Sequence, residues 1–283
     1  MLILSSCDYF EKNKISEQKF KKGYKGLMMD TLKNQPPDRI YPNSDFNLAL
    51  KIENQGAYKL TNGRITLSNY IRNYLFFEET SQTITRSSQQ TYLQGKSITN
   101  PGGDYTYLVF KGKAKKLPLG VEEHKRELFI IADYSYQNVL SQTVCINPNP
   151  YEVHKANCQV ESKTSLSGQG SPLAITQIEE IIIPGTIPRV RFILTLKNKG
   201  DGEVKGLITL TQAKLGGKKI SCDFKNNPSK NKNKFKFPSH KNQETAMICE
   251  KIIDSSLTYS TTLLIDLAFN YRLEKTKEII IKE

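Results

Sequence analysis

Hydrophobic and polar residues alternate in short runs along most of the chain, which is the period of a strand with one buried and one wet face. In Arg191 to Leu210, RFILTLKNKGDGEVKGLITL, Phe192, Leu194 and Leu196 alternate with Thr195 and Lys197. Asn198-Lys-Gly200-Asp-Gly202 then interrupts the pattern with residues that tolerate positive φ, and a second β-rich run, Leu207 to Leu210, follows. An echo of this plan occupies Phe46 to Leu67: Phe46, Leu48, Leu50 and Ile52 on one face, Asn54-Gln-Gly56, then Ile65-Thr-Leu67. The same strand, turn, strand unit is therefore used twice.

The ends of the two halves agree as well. A constant shift along the chain carries Leu128 to Leu263, Ile130 to Ile265, Ala132 to Leu267, Tyr134 to Phe269 and Tyr136 to Tyr271. A slip of one residue would invert every side chain, so the match in phase predicts a repeated element rather than shared apolar content. Read with the further runs Gln142 to Ile146 and Glu278 to Ile281, it predicts that each half closes on a C-terminal hairpin.

The fold class expected is all-β, two tandem immunoglobulin-like β-sandwich domains, and 283 residues suffice for two cores. The expected boundaries are a signal- or lipobox-like remnant at 1–7, a polar tether at 8–25, a first sandwich at 26–146, a linker with a local disulfide at 147–171 and a second sandwich at 172–283. The tether is rich in Lys, Glu and Asn, and Thr164 to Gly170 reads as a flexible Ser- and Gly-rich link.

Five cysteines bear on compartment. Four of them allow three pairings, and the neighbour pairing, Cys145 with Cys158 and Cys222 with Cys249, keeps each bridge local. Such bridges imply an oxidising environment, whereas four reduced thiols would act as small buried hydrophobes. Cys7 is left over. Leu4-Ser5-Ser6-Cys7 resembles the lipobox of a prokaryotic lipoprotein, which implies lipidation at Cys7, although a signal peptide normally has a basic start and about 7 to 15 apolar residues.

The net charge is +13, with Lys well in excess of Arg, and most of it reads as solvated surface. The exception is Lys225 to Lys241. There Lys230, Lys232, Lys234 and Lys236 are interleaved with Phe235 and Phe237, so an extended strand would separate a cationic from an aromatic face. That is a candidate contact for an anionic glycan, lipid headgroups or an acidic envelope protein. The competing structural reading packs both Phe inward and leaves Lys to guard a sheet edge. Single-stranded nucleic acid is a poor match in an extracellular setting.

No G-x-S-x-G, Walker loop or His-Glu-x-x-His occurs, and His124, His154 and His240 fall in polar, loop-like sequence without positioned partners. Asn100 to Asp104 and Asp201-Gly-Glu203 match turn chemistry better than a calcium site. No catalytic residue, metal ligand or cofactor is expected, and the chain is read as a non-enzyme.

Strand, Asn-x-Gly, then a second strand is similar to the prokaryotic cell-surface immunoglobulin-like domains of the CARDB type. The residues that carry this are Leu194 to Gly200 with Val204 to Leu210, and Leu50 to Gly56 with Gly63 to Leu67. The resemblance implies a spacer or an adhesion or assembly module outside the cell, and it transfers no catalytic residue. The expected function is a non-catalytic, exported, membrane-anchored envelope module. The alternative is a basic protein that binds an anionic polymer, glycan or nucleic acid, with Cys7 incidental.

Overall fold

The computed structural model describes residues 20–148, 158–225, 227, 231–239, 242–254 and 257–283. Its regular elements are all strands: β1 (Leu27–Thr31), β2 (Asp45–Asn54), β3 (Leu60–Ser68), β4 (Leu75–Phe77), β5 (Ser81–Thr83), β6 (Tyr92–Leu93), β7 (Tyr105–Ala114), β8 (Glu123–Ile146), β9 (Lys163–Ser165), β10 (Leu173–Ile183), β11 (Arg189–Asn198), β12 (Glu203–Leu215), β13 (Lys218–Lys219), β14 (Ser221–Phe224), β15 (Lys234–Phe235), β16 (Glu244–Ile252) and β17 (Tyr259–Lys282). Alternation builds the core, as expected. Leu48, Leu50 and Ile52 of β2 are fully buried, and Phe192, Leu194 and Leu196 of β11 are nearly so. Each contributes roughly 1.5–3 kcal/mol of transfer free energy.

The chain divides into two compact units, one of residues 25–135 with 271–283, the other of residues 21–24 with 136–270. The sheets form a sandwich-like arrangement. In unit 1 the order β1-β2-β7-β4 forms one sheet, and β3 pairs with β8, β5 and β6. In unit 2 a sheet runs β9-β10-β11-β16-β14, and β12 pairs with β13, β15 and β17. Matching β1 with β10, β2 with β11, β7 with β16 and β4 with β14 reproduces one strand order in the other. The repeat seen in the sequence is thus a repeat of topology.

The expected closing hairpins are replaced by two long strands of 24 residues each. Residues 123–135 of β8 lie in unit 1 and 136–146 in unit 2, whereas 259–270 of β17 lie in unit 2 and 271–282 in unit 1. The units therefore do not follow the boundaries at 146 and 172. The physical reason is the absence of any Gly or Pro between Tyr136 and Gln142 or between Tyr271 and Glu278. The polar residues that suggested breaks are used instead. Asn138, fully buried, donates from Nδ2 to Gln169 Oε1 and to the Leu173 carbonyl, both at 2.9 Å. Arg272 forms a two-pronged pair with Asp133 at 2.7 and 2.9 Å, and Lys275 reaches Asp30 at 2.7 Å.

The segment expected as flexible link is likewise structured. Lys163–Ser165 pairs with β10, and Gln169 is buried, accepting from the Ile175 amide at 3.0 Å and donating to the Ile175 carbonyl at 2.9 Å. The end of the expected tether meets this segment, for the Gly23 amide donates to the Ser167 carbonyl and Gly23 O accepts from Gly170 N, both at 2.9 Å.

The Asn-x-Gly motif works the same way in both units. Asn54 Oδ1 accepts from the Gly56 amide at 3.2 Å and its Nδ2 donates to Tyr58 O at 2.7 Å and to Leu93 O at 3.0 Å. Asn198 Oδ1 accepts from Gly200 N at 3.2 Å, and its Nδ2 donates to Gly202 O at 2.7 Å and Gln243 Oε1 at 3.0 Å. A buried polar residue backs each turn. Asp104 and Gln243 receive the Asn54 and Asn198 amides on their carbonyls, both at 2.9 Å. Asn54 is fully buried and Asn198 half-buried, so Asn54→Ala should cost about 2 kcal/mol in denaturant unfolding and Asn198→Ala about half as much. Equal losses would show that burial does not set the worth of the motif.

Gly103 adjoins the first of these turns with φ of 78°, and a Cβ there would stand 2.0 Å from the Asn54 carbonyl oxygen. Gly103→Ala is therefore expected to destabilise by about 2 kcal/mol, through strain and contact together. A thermal shift below 1 °C would contradict this.

Candidate functional site

The basic stretch of unit 2 begins and ends on a short antiparallel pair, β14 with β16, in which Cys222 faces Cys249 directly. The two are joined in a disulfide, with Cα atoms 4.0 Å apart. Between them the chain leaves this sheet and adds β15 to β12, with Ile208 opposite Phe235 and Thr209 opposite Lys234.

That pairing decides what the alternating Phe and Lys do. Phe235 stacks on Phe224 at 5.2 Å and meets Phe237 edge-on at 5.3 Å, and both Phe235 and Phe237 are buried. Lys232, Lys234 and Lys236 are exposed. The aromatic half of the expected contact is thus corrected: Phe235 and Phe237 belong to the core, because β12 offers a sheet under which their face can be covered. The cationic half stays on the surface. Lys230 lies outside the described residues, as do Cys7, His154 and His240.

Sequence reasoning missed two further lysines. Gly216 and Gly217, at φ of 57° and 77°, make the two-residue turn between β12 and β13, and this sets Lys214 directly opposite Lys219. A Gly-Gly pair between two strand-like runs was the available signal. Lys214, Lys219 and Lys232, with Asn233, Gln212 and Cys222, border a groove of about 740 Å³. No carboxylate is among the described residues that line it. Lys218 is turned to another partner, Asp254, at 3.4 Å.

A second cavity, about 160 Å³, lies beside the other disulfide, Cys145 to Cys158. Glu180 lines it together with Glu161, Thr164 and Ser260. Its side chain is buried with Oε1 lacking a hydrogen-bond partner among the described residues, and burial pushes its carboxyl up to about 8. Glu161 differs, being exposed and accepting from the Thr164 hydroxyl at 3.0 Å.

Two further residues named from the sequence take local roles. Asp104 uses its carboxylate on donors, from Gln94 N and Asn100 Nδ2 at 2.9 Å and from Arg86 at 3.0 Å, so it serves the loop that backs Asn54. His124 is not in a loop but on β8, stacked on Tyr74 at 4.0 Å, and burial followed by the charge of Arg126 lowers its pKa.

No known protein-family model matches the chain, and no curated protein matches its sequence. Among solved structures, the C-terminal domain of the Streptococcus agalactiae AgI/II polypeptide BspA aligns with 91% of this chain and 100% of its own, at 7% identity. The TM-score is 0.15, and at that value the likeness carries no argument about fold or function.

Proposed function

We propose that this chain is an exported, non-catalytic module of the cell envelope, in which two immunoglobulin-like sandwiches of the CARDB type, held by a lipid on Cys7, present an interaction surface. The observation that carries the reading is the pair of disulfides, Cys145 to Cys158 and Cys222 to Cys249, since bonds of this kind persist in oxidising compartments. The repeated Asn-x-Gly turn and the Leu4-Ser5-Ser6-Cys7 sequence support it. One acyl chain binds a bilayer only marginally, so the lipid on Cys7 acts together with a second chain or basic residues. An envelope protein, an anionic glycan or lipid headgroups are the partners this reading admits.

Mass spectrometry of protein taken from native membranes, alkylated without reduction, tests it. The expected result is a lipid on Cys7 and four cysteines protected from alkylation. Five alkylated thiols and an intact Met1 in the cytosolic fraction would overturn it. A second reading, a basic protein that binds an anionic polymer without any anchor, draws on the lysine-lined groove. It predicts affinity that falls steeply with salt whether or not Cys7 is modified.

A further inference from the structure

We infer that the groove between the β12–β13 hairpin and residues 231–233 binds a linear polysaccharide that carries regularly spaced carboxylate or phosphate groups. This rests on reading the chain as an interaction module and names the partner's chemistry.

Electrostatics favours an external anion in this groove. Lys214 and Lys219 face each other across one rung of an antiparallel ladder. Like charges so placed destabilise a sheet, and the described residues of the groove supply no carboxylate to offset them. Lys232 adds a third cation from across the groove. An arrangement that weakens the fold locally and gives nothing back inside it is what a site for an external anion requires.

The walls of the groove are also preorganised. The Gly216-Gly217 turn has no slack, being two residues long with both φ positive. Cys222, which borders the groove, is fixed by its bridge to Cys249. The backbone that carries these lysines is already held in place, so less ordering of the chain opposes binding. The volume, about 740 Å³, is in the range of small-ligand clefts and suits a few sugar rings of a longer chain. Gln212, Ser221 and Asn233 on its walls offer the amide and hydroxyl groups that sugar hydroxyls use.

The other anionic partners fit less well. Single-stranded nucleic acid is held by stacking bases on aromatic rings, and the rings nearest the lysines, Phe235 and Phe237, are buried. A bilayer is entered by exposed apolar side chains, and the apolar residues of this groove, Leu210, Ala213 and Ile220, are all buried.

The test is a calorimetric titration of the full, disulfide-intact chain at two salt concentrations. The probes are polygalacturonate for carboxylate, a phosphorylated dextran for phosphate, a single-stranded oligothymidylate, and vesicles of phosphatidylcholine with phosphatidylglycerol. Lys214→Glu/Lys219→Glu should weaken binding of the polysaccharide probes at least tenfold. The control Lys111→Glu/Lys113→Glu, which changes the same charge on exposed lysines of unit 1, should change it less than twofold. Lys214→Gln/Lys219→Gln should lose binding without lowering Tm, which separates a lost site from a lost fold. The inference is overturned by equal loss in both charge reversals, by binding to neither polymer, or by tighter binding to the oligothymidylate or the vesicles. A lipidated, disulfide-bonded protein that fails here would leave the envelope reading standing, and a thiol-bearing cytosolic protein that passes would remove that reading but keep this one.

Discussion

Replacing Glu180 with Gln leaves stability unchanged near pH 4 and raises it at pH 9. Glu180 is 5% exposed, and among the described residues no cation lines its cavity, where Glu161 is the other titratable group. Burial without a counter-ion favours the protonated form, which is why its carboxyl titrates near 8 rather than at 4.5. The folded chain therefore holds one proton more than the unfolded chain between those two values. Stability falls as pH rises through that window, and the loss is complete above about pH 8. With a shift of this size, moderated by water reaching the cavity, the difference between wild type and Glu180→Gln at pH 9 is on the order of 3 kcal/mol. Urea unfolding of both proteins at several pH values measures it, and parallel pH profiles would refute the account.

Removing the Cys222 to Cys249 bridge by Cys222→Ala/Cys249→Ala should cost about 3–4 kcal/mol. The closed loop is long, 27 positions, so much denatured-state entropy is restricted. The Cys145 to Cys158 loop spans 13 positions, and its removal should cost somewhat less, about 3 kcal/mol. Both pairs lie next to functional candidates, the first under the lysine groove and the second beside Glu180. Guanidinium unfolding without reductant compares the variants. A loss under 1 kcal/mol for the longer loop, or a reversed order, would show that chain entropy is not what these bridges supply.

Local pattern carried the fold class. Strand β2 could be read from Phe46, Leu48, Leu50 and Ile52, and its turn from Asn54-Gln-Gly56, because both depend on residues adjacent in the chain. The lysines of the basic stretch could be read as well, but not the fate of the rings between them. Whether Phe235 and Phe237 face water depends on β12 accepting β15, a partner more than twenty residues away. Lys214 and Lys219 escaped notice because two cations near a Gly-Gly turn look like ordinary surface until the ladder sets them opposite each other.

Glu180 shows how a small irregularity defeats periodicity. In Ile178-Glu-Glu-Ile181 nothing marks one carboxylate as internal. A register shift between Ile175 and Gln177 moves the inward phase of β10 from Leu173 and Ile175 to Ile178 and Glu180. A β protein with one motif used twice and cysteines placed for local bridges was legible in the chain alone, since alternation, turn residues and spacing are properties of neighbours. That β8 and β17 run unbroken through both units, which rings are core and which cations share a groove came from folding, because those outcomes depend on the pairing of distant strands, and pairing is settled by the fold as a whole.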